Sequence, residues 1–464
     1  MTRPSASRQT GPAARPDIAF TLDVAVVDRR ADEVAAIAAT APGPVNVRPL
    51  DTREPGCAQL RLSADGEATL SWLEQRLREQ LGFELISCAD LAIERSRGGK
   101  TRTRAKIALR DGEDLAFAYT PGVGRVAQHI AAIPGAVGHL TGKSNRVAIV
   151  TDGSAVLGLG NLGPAAALPV MEGKAALFAH LANIDAVPIC LDTQDVDGIV
   201  AAVTAIAPSF GGINLEDIAA PRCFAVEARL RDALDIPVLH DDQHGTAIVV
   251  LAALRNALTV VGKRLDTASI VVLGAGAAGT AVTRLLLAGG ARDVVVWAPV
   301  GVLHPELAPE LSPHKQQLAA VTNPRGVRGG RQEALAGADA VIGVSAAGVL
   351  NRNLVKGMSP NPVVFALANP IPEIEPAEVA DLAAVVATGR SDWPNQVNNA
   401  LVFPGLFRGA LDAHLTHFDT AVLLGCAQSL GDLVPSPRAD RLLPDVLDPR
   451  VVPAIAAAVG AATQ

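Results

Sequence analysis

Residues 268–290, ASIVVLGAGAAGTAVTRLLLAGG, decide the architecture. An apolar run ending at Leu273 meets Gly274-Ala275-Gly276-Ala277-Ala278-Gly279, and an Ala/Leu-rich helical stretch follows. The GxGxxG spacing is weak alone; strand before and helix after give it meaning. In that setting Gly274 makes a tight turn, Gly276 admits a pyrophosphate, and the helix N-terminus faces its charge. A second strand, DVVVWA (293–298), extends the unit toward a doubly wound sheet. Its end should carry an acid for the adenosine ribose, yet it reads Trp297-Ala298-Pro299. NAD preference is therefore unsupported, and the basic residues Arg325 and Arg328 lie well downstream.

Further strands are expected in 338–350 (ADAVIGVSAAGVL) and 362–374 (PVVFALANPIPEI). Asn369 falls at the carboxyl end of the latter, where such sheets bind ligands. Asn398 and Asn399 lie in 389–407, GRSDWPNQVNNALVFPGLF, before another helix. Asparagine in turns is ordinarily structural, but an amide is also a suitable neutral donor to a carboxylate.

Upstream lie two acidic pairs, Glu216-Asp217 in FGGINLEDIAAPRCF and Asp241-Asp242 in IPVLHDDQHGT. Each follows a short apolar segment and meets a turn. Adjacent carboxylates repel unless a cation or proton sits between them. Two such pairs among Gly, Pro and His suggest an oxygen-ligand site for Mg²⁺ or Mn²⁺; the bland reading is helix caps and solvated acids. Residues 146–181 read as a strand, a loop with Gly153, Gly158, Gly160 and Gly163, and a helix starting around Glu172. Gly173-Lys174 is followed by Ala175, which rejects a phosphate-binding P-loop. Lys174 is thereby placed in a helix's opening turn, where its charge opposes the dipole. Beside a cation and partly buried, its pKa should fall, as a general base requires. Tyr119, the single tyrosine of the chain, sits in AYTPGV on a turn entering a helix; a structural phenol and a proton donor are both open.

Residues 17–95 alternate as βαββαβ, a split-βαβ sandwich that resembles an ACT-type regulatory module. The turn DRRAD lacks the flavour of effector-binding copies, so dimerisation or packing is the expected role. The division is a disordered tail (1–16), the ACT-like module (17–97), a substrate and metal domain (98–265), a Rossmann-like domain (266–430), and a C-terminal segment (431–464) returning to the substrate domain. Among 464 residues, 49% are apolar and 19% charged, and the net charge is −7. That stock suits helices on parallel strands, and supplies no basic stripe for nucleic acid. No apolar run approaches a membrane span. Five scattered cysteines without CxxC spacing fit a reducing cytoplasm.

YTPGV, TDGSAVLGLGNLGP, PVMEGKAALF, FGGINLEDIAAPRCF, IPVLHDDQHGTAIV, GAGAAG, ANPIPEI and PNQVNNALVFPG together resemble the malic enzymes, in their shorter bacterial type. The likeness runs from about residue 110 to the C-terminal DPRVVPAIAAAV. It implies an α/β substrate domain, a Rossmann-like NAD- or NADP-binding domain, and a homodimer or higher oligomer. It implies oxidative decarboxylation of malate to pyruvate, with oxaloacetate decarboxylation as a possible companion activity. Glu216, Asp217 and Asp242 would bind Mg²⁺ or Mn²⁺. Lys174 would take the C2-hydroxyl proton, Asp241 would support Lys174 or the metal shell, and Tyr119 would protonate C3. Asn369 and Asn398 would hold substrate carboxylates. A plain hydroxy-acid or amino-acid dehydrogenase leaves four carboxylates near Lys174 unexplained; a silent ACT-type sensor leaves Tyr119 and Lys174 unexplained.

Overall fold

The computed structural model describes residues 20–51 and 55–462; the tail expected over 1–16 lies outside them. Two compact units emerge, one running to Gly99 and taking in Ser391–Trp393, the other comprising Lys100–Arg390 and the chain from Pro394 onward. The first follows the βαββαβ reading: β1 (Thr21–Val27), α1 (Ala31–Ala39), β2 (Val45–Leu50), β3 (Cys57–Ala64), α2 (Glu67–Leu81) and β4 (Leu85–Asp90), then a short α3 (Leu91–Ser96). The sheet is antiparallel in the order β2-β3-β1-β4. Alternation along β1 sends Leu22, Val24 and Val26 to the helix-covered face, where Leu73 and Leu77 of α2 meet them. Arg29 and Arg30 of the DRRAD turn both pair with Glu84 of the same module.

The second unit starts with α4 (Gly112–Ala118), α5 (Gly122–Ala132) and α6 (Val137–Leu140), none of which buries a residue. Then β5 (Arg146–Thr151), α7 (Pro164–Ala182), β6 (Asp185–Cys190), α8 (Val196–Ile206), β7 (Gly212–Leu215), α9 (Arg222–Ala233), β8 (Val238–His240) and α10 (Asp241–Val260) build a parallel sheet, β6-β5-β7-β8. Val147–Val150 are buried on both faces, as strands between helix layers are.

A second sheet holds β9 (Ser269–Leu273), β10 (Asp293–Ala298), β11 (Gly301–Val302), β12 (Ala340–Gly343), β13 (Val363–Ala366) and β14 (Val385–Thr388), ordered β11-β10-β9-β12-β13-β14. All pairs are parallel except the β10–β11 hairpin. Its helices are α11 (Ala277–Ala288), α12 (Pro313–Val321), α13 (Arg331–Leu335), α14 (Arg352–Lys356) and α15 (Pro376–Val379). The order reverses between β9 and β12, so a crevice opens at their carboxyl ends. The chain closes with α16 (Phe403–Asp412), α17 (Thr420–Asp432) and α18 (Val451–Ala461).

The substrate and dinucleotide regions are not separate bodies. One core joins Val147 and Ile149 of β5 to Ile270 and Val272 of β9, and α10 is the shared wall. Helix α10 buries Ala247–Leu254 without a break because it is covered on all sides. Helix α18 packs chiefly on α16 and α17, where Gly405 and Gly409 leave room for Ile455 and Val459.

Candidate active site

Helix α7 begins at Pro164, not near Glu172. Proline is well suited to a first helical position, and Pro169 is tolerated inside. Lys174 therefore lies mid-helix, and the dipole argument at an opening turn falls away. Its side chain is buried, with Nζ 2.6 Å from Glu216 Oε2, bonded to Asp241 Oδ2, and 4.2 Å from the centre of the Phe403 ring. Burial disfavours the ammonium, but Asp241 and Glu216 outweigh it and raise the pKa above the lysine value. The two carboxylates by themselves thus favour the ammonium, whereas the expected fall is for Lys174 beside a cation.

The first acidic pair follows β7 and the second opens α10, so the two doublets meet at the carboxyl ends of neighbouring strands. Oxygens of Glu216, Asp217 and Asp242 lie within 4.8 Å of one another. Burial, reinforced by Asp242, pushes Glu216 up to about 7 and Asp217 to about 8. Burial likewise takes Asp241 and Asp242 to about 6. Asp217 adopts φ 53, a costly conformation for a non-glycine residue, and its N–H donates to Asp242 Oδ2 at 2.8 Å. Its Oδ2 is buried with no hydrogen-bond partner. Repelling carboxylates with a spare buried oxygen fit a hard divalent cation of the Mg²⁺ or Mn²⁺ type.

Asp241 is fully buried and also accepts 2.7 Å from Asn399 Nδ2. Asn399 thus braces the acid beside Lys174, while its neighbour Asn398 spends Oδ1 on the N–H of Ala400. Gly245, one turn along α10, leaves space for Asp241; a Cβ there would stand 1.9 Å from its Oδ1. Two residues that sequence reasoning missed fasten these loops. Glu227 of α9, buried, accepts from His240 N, Gln243 Nε2 and His244 Nε2 and so pins the start of α10. Glu373, also buried, accepts from the N–H groups of Ser345 and Ala368 and joins the loops after β12 and β13. Glu227 lies just past one quoted motif and Glu373 inside another, but only a fold says which backbone each acid will meet.

These elements enclose a cavity of about 660 Å³. Lys174, Glu216, Asp217 and Asp242 line one wall, and Asn369, Asn398 and Asn399 line another. Gly276, Ala277 and Ala278 of the glycine turn line it too. A Cβ on Gly274 would sit 2.5 Å from Val344 O, and one on Gly279 would sit 2.0 Å from Gly274 O. Gly276 faces open space, and Ala275 is buried beneath. That is a cradle for a dinucleotide pyrophosphate at the start of α11. Gly158 presses against Asn369, where a Cβ would meet the carbonyl oxygen at 1.5 Å, so the glycine-rich loop permits a close approach. Tyr119 is the exception. It caps α4, is 69% exposed, and is not among the cavity's lining residues.

Residues 98–231 match the malic enzyme N-terminal domain, and residues 243–297 with 332–463 match the malic enzyme NAD binding domain. The NAD-dependent malic enzyme of Geobacillus stearothermophilus is 48% identical over 83% of this chain and 81% of its own. An NADP-dependent malic enzyme of Rhizobium meliloti is 42% identical over 79% of this chain and 50% of its own. The crystal structure of the NAD-dependent malic enzyme from Thermotoga maritima superposes with a TM-score of 0.77 at 45% identity, over 80% of this chain and 99% of that one.

Proposed function

This chain belongs to the malic enzyme family, and from that premise we propose how its own residues divide the reaction. It oxidatively decarboxylates malate to pyruvate and CO₂ with reduction of NAD or NADP. The observation that carries the assignment of roles is Lys174, locked between Glu216 and Asp241 in a cavity that also receives the glycine turn.

Glu216, Asp217 and Asp242 would hold the divalent cation. When bound, the dinucleotide accepts the C2 hydride and the cation takes up negative charge developing at the C2 oxygen as CO₂ leaves. Lys174 accepts the C2-hydroxyl proton. It shares Glu216 with the cation site, so occupancy there withdraws one of the two carboxylates that favour the ammonium, the direction a base needs. Asp241, tied to Asn399, keeps the amine aimed and does not itself exchange the proton. Asn369 and Asn398 donate amide N–H groups to the substrate carboxylates.

Tyr119 is proposed to protonate C3, delivered by a second copy of the chain. Helices α4 and α5 bury nothing and expose Leu115, Phe117, Val123 and Val126 beside the phenol, a face suited to a homodimer. Five free cysteines support a reducing, cytoplasmic setting, and no described helix is long and apolar enough to cross a membrane. The N-terminal module is proposed to regulate or to pair chains.

Purified protein given malate, Mn²⁺ and each dinucleotide should yield reduced nicotinamide and pyruvate together. Reduced nicotinamide without pyruvate would instead mark a plain dehydrogenase.

A further inference from the structure

The family match breaks off after Trp297 and resumes at Gln332. Those intervening residues follow the strand end against which an adenosine ribose lies in a doubly wound sheet. Gly274 N donates to Trp297 O at 2.9 Å, so this end is fixed beside the glycine turn. The next residue, Ala298, is fully buried, Pro299 has no N–H, and the chain turns at once into β11. Trp297, Ala298 and Pro299 supply no carboxylate of their own to accept a ribose hydroxyl or to repel a phosphate.

A cation stands there instead. The Arg331 guanidinium lies 5.4 Å over the Trp297 ring, and its Nη1 donates to Val349 O at 2.5 Å. Trp297 is the next-to-last residue of β10 and Val349 follows β12, so Arg331 bridges the carboxyl-end segments on either side of β9, beside the point where the sheet order reverses. The other two arginines of the unmatched stretch are committed to acids, Arg325 to Asp293 and Arg328 to Glu306, each at 2.8 Å. Among the described residues Arg331 has no carboxylate partner. A planar, always-charged fork beside an aromatic ring is matched to a phosphate dianion next to a purine.

We propose that this chain selects NADP over NAD, with Arg331 receiving the 2′-phosphate and Ala298 leaving the space uncharged. The inference rests on the dinucleotide-dependent reading above, yet its test requires no turnover. Calorimetric titration of the full chain with 2′,5′-ADP and with 5′-ADP should show the former binding about tenfold more tightly or better, the scale of one charge-assisted hydrogen bond. Arg331→Gln should erase the difference by weakening 2′,5′-ADP alone, and Arg331→Lys should restore part of it, with thermal melts verifying the fold. Equal binding of the two by the parent, or equal weakening of both by Arg331→Gln, overturns the proposal. In turnover, pyruvate formed faster with NAD overturns it while leaving the malate reading intact; absent pyruvate with a retained 2′,5′-ADP preference removes the malate reading alone.

Discussion

Lys174 is the residue on which the site turns. A buried ammonium is tolerable only when its neighbours return what hydration gave. Glu216, Asp241 and the Phe403 ring do so together. Asn399 completes the set by donating to Asp241, a role its position in a turn did not disclose. Asn399→Ala is expected to leave Asp241 with Lys174 as its only hydrogen-bond partner, costing about 1–3 kcal/mol of stability. Turnover should fall more than malate KM rises, because the aim of the amine changes while other binding groups remain. Denaturant melts and steady-state kinetics check both, and an unchanged turnover would remove Asn399 from the positioning of Asp241.

At the level of elements, α10 carries both the site and the core. Its first turn presents Asp241 and Asp242, its middle is buried between the two sheets, and Glu227 holds its start in place. Replacing glycine by alanine within a helix normally stabilises it by about 1 kcal/mol. Gly245→Ala should do the reverse here, since the new Cβ would press on Asp241 Oδ1. The acid would be driven off Lys174 or the helix start displaced. Lower melting temperature together with lost activity is the expected result, and a stabilised, active variant would refute the contact. The GxGxxG turn shows the same economy: Gly274 and Gly279 have no room for a side chain, whereas Gly276 has room and no side chain, which keeps its backbone open to a ligand.

At the scale of the whole molecule, the proposed chemistry needs a proton donor that one chain leaves outside its cavity. If a second copy supplies Tyr119, Lys174→Ala and Tyr119→Phe are each inactive alone yet complement one another. Mixed and allowed to exchange subunits, they should recover about a quarter of the parent activity, the statistical share of intact sites in a two-fold dimer. No recovery despite proven exchange would place both residues in the same chain. Local signals made much of this protein legible in advance. Periodicity gave the alternation of strands and helices, the glycine spacing gave the nucleotide cradle, and the adjacent acids marked residues that meet in one cluster, because each reports a neighbour within a few residues. Helix starts were less secure: α7 carries Pro169 inside it and begins at Pro164, eight residues before the expected start near Glu172, which misplaced Lys174 on its helix. What only the tertiary structure decided is which distant groups meet. Glu227 beneath the start of α10, Asn399 on Asp241, Glu373 between two loops and Arg331 over Trp297 are all long-range encounters. The physical reason is that a side chain's charge, hydrogen-bond partners and burial are set by what packs against it, and packing is a property of the folded chain rather than of any stretch of it.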